Sequence, residues 1–124
     1  MPKAPPPLAV KIPGAHETDL KKGIQDWLSL RGFYSWIHNV GAVKFRSDSG
    51  RDRFVKFGAK GQSDIFVILK GGRLCVIETK MPGKKPTTDQ VGFMTEVERL
   101  GGIAILAYSL KDVEVRLRAE GYLN

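Results

Sequence analysis

Gly61-Gln62-Ser63-Asp64-Ile65-Phe66-Val67-Ile68-Leu69, then Lys70-Gly71-Gly72, then Arg73-Leu74-Cys75-Val76-Ile77-Glu78-Thr79-Lys80, is the stretch that decides the fold. Two apolar runs separated by a glycine pair predict two β-strands joined by a tight turn. Strand side chains alternate between faces, so Glu78 and Lys80 point the same way. Asp64 stands at the outer end of the first strand, and its direction depends on the register. If Gly71-Gly72 alone form the loop, Asp64 falls opposite Thr79 and faces away from Glu78. If the loop is Lys70-Gly71-Gly72, Leu69 pairs with Arg73 and Asp64 falls opposite Glu78. A three-residue loop usually ends on a left-handed residue, which Gly72 supplies without steric cost, so the second register is expected. A bulge near Gly61 or Asp64 would bring the same groups together.

Charged groups at the edge of an apolar core are costly unless they are paired or bound to an ion. Two neighbouring carboxylates raise the pKa of one of them unless a cation holds both. Hard divalent cations bind through one or two carboxylates, waters and phosphate oxygens. Such an ion polarises a phosphoryl oxygen and acidifies an attacking water. Lys80 beside it is placed to orient that water or to stabilise developing negative charge. Asp64 and Glu78 are therefore candidate metal ligands, and the Thr79 carbonyl lies between the two motif residues. Together these groups suit metal-assisted phosphodiester hydrolysis. An ordinary sheet end with solvated charges and a cross-strand ion pair would present the same residues.

Gly61-x-x-Asp64, with Glu78-x-Lys80 fourteen residues beyond the aspartate, resembles the PD-(D/E)xK nuclease motif, with Ser63 where the name of that motif has proline. Within that superfamily the chain most resembles the VRR-NUC group (virus-type replication-repair nucleases) in its stand-alone form. Glu17 in a first helix and Pro86-Thr87-x-x-Gln90 opening a later one add to the likeness, which covers residues 15–110. The resemblance implies a restriction-endonuclease-like fold and catalysis by Asp64, Glu78 and Lys80 with Glu17 and Gln90. It implies magnesium or manganese held by Asp64, Glu78, Thr79 and Glu17, with no organic cofactor. It also implies a homodimer that cuts branched DNA such as four-way junctions, in a repair setting compatible with a phage-encoded protein. Two alternatives stay open: a restriction-type or nicking nuclease acting on ordinary duplex, and a non-catalytic basic nucleic-acid-binding module.

The chain has 124 residues, enough for one domain with a core and no room for a second. Four prolines before residue 8 favour an extended or disordered arm over residues 1–13, with a single domain over 14–124. The formal charge of +7 points to a polyanionic partner, usually nucleic acid. The lone cysteine, Cys75, reads as a small buried hydrophobe. No apolar run reaches membrane-spanning length and no signal-peptide core is present, so an intracellular protein, cytoplasmic or nucleoid-associated, is expected.

A helix is predicted from His16 to Arg31, with Leu20, Ile24, Trp27 and Leu28 on one stripe and Gly32 as its stop. Glu17 lies on that stripe. It either reaches over the sheet edge towards the site or sits exposed in the first turn, where the helix dipole favours it. Phe33–Asn39 reads as the first strand, with aromatics expected to pack rather than to stack on bases. His38 is either a neighbour of the site or an ordinary edge histidine. Between Gly41 and Lys60 a basic hairpin or loop is expected, turning at Ser47-Asp48-Ser49-Gly50. Its Lys44, Arg46, Arg51, Arg53, Lys56 and Lys60 suit contact with phosphates or the protection of an edge ribbon. Lys84 and Lys85, in the loop after Lys80, should lie near the same phosphates.

Thr87 and Gln90 form a predicted capping box opening a helix to about Leu100, with Met94, Val97 and Leu100 on its buried side and Phe93 nearby. Capping accounts for Gln90 by itself, and the resemblance implies a second role, contact with the scissile phosphate region or a metal water. Ile103–Tyr108 is a buried strand reached by a parallel crossover, and Ser109 opens a last helix near 112–120. Both faces of the two central strands are apolar, so both should be covered. The expected fold is α/β, a central mixed β-sheet flanked by helices.

Overall fold

The computed structural model describes residues 16–38, 41–46, 52–57 and 61–124, the segments 41–46 and 52–57 as backbone only. The expected arm over 1–13 lies outside the described residues, as do Arg51, Lys60 and the turn at 47–50.

Local sequence sets the helix ends. Helix α1 (Glu17–Leu30) begins at His16, whose Nδ1 accepts from the Thr18 amide while its own amide donates to Asp19. It ends where Gly32 takes φ +86°, and the Phe33 amide donates back to the Leu28 carbonyl at 2.9 Å. That closure draws Phe33 into the end of the helix. Strand β1 is therefore Tyr34–Ile37, shorter at both ends than the 33–39 run suggests.

The main sheet has the order β1, β4 (Ile65–Leu69), β5 (Arg73–Thr79), β6 (Ile103–Ala107). β1–β4 and β4–β5 are antiparallel and β5–β6 is parallel, a small mixed α/β sheet. Leu69 pairs with Arg73 and Ile65 with Ile77, which is the register with the three-residue loop. Gly71 and Gly72 are both left-handed in that loop. Helix α2 (Thr88–Arg99) makes the crossover from β5 to β6, and α3 (Leu110–Ala119) closes the chain. Strands β2 (Gly41–Arg46) and β3 (Asp52–Phe57) pair antiparallel in a separate two-stranded sheet, so the expected hairpin is present at the level of the backbone.

One face of the main sheet meets α1 and α3. Ile24, Leu28, Ile65, Ile77, Ile103 and Leu117 are fully buried there. Cys75 belongs to this layer, and burial pushes its thiol up to about 12, so it behaves as an apolar side chain. Ties at the far end hold the layers together: Arg73 donates to the Gly101 carbonyl and pairs with Glu120, while Arg116 bridges Glu98 and Glu120.

The other face is covered only in part. Helix α2 packs on β5 and β6, with the Gly102 backbone so close that a Cβ there would lie 2.7 Å from Val97. A helix about 10 Å wide spans roughly two strands spaced about 4.8 Å apart, so among the described residues β1 is left open on this side and β4 is covered only where Phe93 of α2 meets Phe66. Tyr34 is 71% exposed, Ile68 44% and Trp36 36%. Among the described residues, full coverage of both faces is therefore not seen. Leu100, expected on the buried side of α2, is 72% exposed, because the helix ends at Arg99 and Leu100 is its C-cap. No helix among the described residues is long and apolar enough to cross a membrane.

Candidate active site

Because β4 and β5 are antiparallel, the start of one and the end of the other meet at one edge of the sheet. The Asp64 amide donates to the Ile77 carbonyl at 3.1 Å, and the Asp64 carbonyl accepts from the His38 amide at 2.7 Å. The backbone of Asp64 is thus held between β1 and β5. Gly61 sets the approach: its φ is +86°, and a Cβ on it would lie 2.5 Å from the Asp89 carbonyl oxygen. Only glycine lets this loop rest against the first turn of α2. Ser63, at the proline position of the motif name, is fully buried and its hydroxyl has no partner.

The two carboxylates are fixed differently. Asp64 Oδ2 accepts from both the Thr79 amide and the Thr79 hydroxyl, each at 2.8 Å. Asp64 Oδ1 faces Lys21 Nζ of α1 at 3.6 Å. Glu78 is only 2% exposed. Its Oε2 accepts from Gln90 Nε2 at 2.9 Å and lies 3.9 Å from Lys80 Nζ. Its Oε1 is buried without a protein partner. Lys80 is anchored by its amide, which donates to the Ala107 carbonyl at 3.0 Å.

Gln90 both caps its helix and reaches into the site. Its amide oxygen accepts from the Thr87 amide at 2.8 Å, completing the capping box. The amide nitrogen is left free to reach Glu78. The helix terminus is thereby built into the site.

Burial drives the Glu78 carboxyl upward, the Asp64 charge adds to it and Lys80 opposes it; with a further rise from Glu17 the pKa is about 8. Glu17 therefore acts on Glu78 through its field. Among the described residues, however, no three His, Cys, Asp or Glu side chains converge as a ready-made metal site. Glu17 does not close a three-carboxylate cluster. The group from α1 that meets Asp64 is Lys21, one turn further on. Lys21 is the site neighbour that sequence reasoning missed, and its only signal is the i, i+4 spacing from Glu17.

The chemistry of the donors still fits a hard divalent cation. Magnesium keeps several waters and needs only one or two carboxylates. An orphaned, buried carboxylate oxygen beside a second carboxylate is the kind of group such an ion would satisfy.

His38 is a neighbour of the site. Its Nε2 lies 2.5 Å from Gln62 Oε1, and its ring centroid is 4.6 Å from that of Phe66. Lys84 and Lys85 are exposed in the loop that follows Lys80, and Tyr108 Oη donates to the Lys84 carbonyl at 2.8 Å. Lys44, Arg46, Arg53 and Lys56 lie on β2 and β3, whose side chains are outside the description, while Arg51 and Lys60 lie outside it altogether. No protein-family model matches the chain, and no curated protein matches it either.

Proposed function

We propose that this chain is a metal-dependent endodeoxyribonuclease of the VRR-NUC type, with a restriction-endonuclease-like core. The observation that carries the reading is Glu78: a buried carboxylate with one oxygen unpartnered, set beside Asp64 and within reach of Lys80. A sheet end with merely solvated charges would not bury that group.

The residues divide the work. Thr79, through its amide and hydroxyl, fixes the Asp64 carboxylate, and Gln90 fixes Glu78. Magnesium or manganese, held by Asp64, Glu78 and the Thr79 carbonyl, would supply Lewis-acid polarisation of the scissile phosphate. Glu17 adds negative potential that favours the cation. Lys80, tied to the pair through Glu78, orients the attacking water or stabilises charge on the phosphoryl oxygens. Lys21 balances Asp64 from the other side.

DNA is the proposed partner, on the charge of +7 and the basic residues of the hairpin and of the loop after Lys80. A homodimer acting on branched DNA is the family-derived form of the proposal, since two sites can cut two strands.

The test is cleavage of a labelled four-way junction and a matched linear duplex with magnesium, manganese or chelator. Metal-dependent cutting of the junction, reduced about 100-fold or more in Lys80→Ala, is expected. Equal cutting of both substrates would keep the chemistry and remove the preference for branches. Binding of both without cutting under any metal would leave a basic binding module.

A further inference from the structure

The open part of the sheet face holds a continuous set of aromatic rings that the hydrolytic chemistry does not use. Tyr34 and Trp36 alternate along β1 with His38 two residues beyond, and the register sets Tyr34 against Ile68 and Trp36 against Phe66. Phe66 in turn pairs with Val76, so all of these share the face of Glu78. Ring centroids run 5.9 Å from Tyr34 to Trp36, 5.7 Å from Trp36 to Phe66 and 6.0 Å from Phe66 to Phe93 of α2. His38 adds a ring beside Phe66, and its amide holds the carbonyl of Asp64. The row therefore starts on an exposed sheet edge, and its His38 end is tied to the backbone of Asp64.

We infer that this face is a stacking platform for unpaired bases of a single-stranded or splayed segment of nucleic acid, leading that strand to Asp64 and Glu78. The inference deepens the proposed nuclease reading and rests on it for the nature of the polyanion. Aromatic side chains standing on a sheet are a known way to take two or three splayed bases. Every base has a flat face, so such contacts tolerate sequence, but a duplex hides those faces inside its own stack. Exposed Tyr34 and Trp36 offer rigid rings at little cost in side-chain entropy.

Charge favours this occupant over another protein surface. The chain carries +7, and Lys80, Lys84 and Lys85 follow the strand end that bears Glu78, where a bound strand would bring its phosphates. The core of an interface between protein copies is depleted of charge. This row instead adjoins, through the His38–Asp64 backbone bond, the sheet edge that carries Asp64, Glu78 and Lys80.

The test uses the full chain with chelator, so that nothing is cut. Binding is followed by anisotropy of labelled strands of about 12 nucleotides, one carrying thymine bases and one abasic throughout. Wild type is expected to hold the base-bearing strand about tenfold or more tightly than the abasic one. Trp36→Ala and Tyr34→Ala should each shrink that ratio, with abasic binding and its salt dependence kept, and Trp36→Phe should retain most of it. Thermal melting of each variant separates loss of stacking from loss of fold.

Equal binding of the two strands by wild type would overturn the inference, as would a ratio untouched by Trp36→Ala in a folded variant. If wild type sediments as a dimer, Trp36→Ala as a monomer, and neither distinguishes the strands, the face joins two copies and the platform is wrong. A base preference without metal-dependent cutting would sink the nuclease reading and leave the platform. Cutting without a base preference would do the reverse.

Discussion

The two faces of the main sheet are built from alternate residues of the same strands, yet they differ in kind. Against α1 and α3, the side chains of Ile65, Val67, Cys75 and Ile77 form a closed apolar layer. On the opposite face, Phe66, Ile68, Val76 and Glu78 meet one helix, open space and a carboxylate pair. The first face supplies stability. That leaves the second free to carry groups that cost stability: a buried glutamate, an unpartnered oxygen and exposed rings.

The contrast predicts unequal responses to truncation. Leu28→Ala, on the closed side, should cost about 2–5 kcal/mol in urea unfolding. Ile68→Ala, on the open side, should cost less than about 1 kcal/mol because water already reaches the side chain. Similar losses at the two positions would mean that the second face is as well covered as the first.

Gly61→Ala sharpens the comparison at the boundary. The added Cβ meets the Asp89 backbone in a left-handed conformation, so the expected loss is about 1–3 kcal/mol, read as a lower denaturant midpoint. A stability unchanged by this substitution would show that the approach of the loop to α2 is not constrained.

Much of this was legible in the sequence, for reasons that can be named. Gly72 can take the left-handed position of a three-residue loop, and that one preference placed Asp64 opposite Glu78. The capping boxes at Thr87 and Ser109 marked two helix starts by local chemistry alone. Lys21 was not legible, because which groups of α1 reach Asp64 depends on how the helix docks. The open face was hidden for a related reason. Apolar residues at Phe66 and Ile68 read as buried, and only the width of a single helix shows that nothing among the described elements is left to cover them. The tyrosine and tryptophan of β1 do pack, on each other and on Phe66, but their exposure was hidden by the same route.

The pH dependence of stability tests the cost of the second face. The raised pKa of Glu78, about 8 against an ordinary value of 4.5, means that the folded protein binds a proton that the unfolded chain has already released. With chelator present, stability should therefore be greatest below about pH 4.5 as far as this group is concerned, fall as pH rises, and level off above about 8. Glu78→Gln should remove that fall, seen as a melting temperature that varies less with pH over the same window. A wild-type profile no steeper than that of the variant would contradict the burial of Glu78.

The most direct measurement is titration of manganese into wild type and Glu78→Gln at pH 7 by calorimetry, in two buffers of different ionisation enthalpy. Wild type should bind manganese and release close to one proton per site, because the metal replaces the proton that Glu78 holds at this pH. Glu78→Gln should bind far more weakly and release no such proton. Manganese binding that is absent in wild type, or equal in the two proteins, would contradict the claim that Asp64 and Glu78 form a cation site.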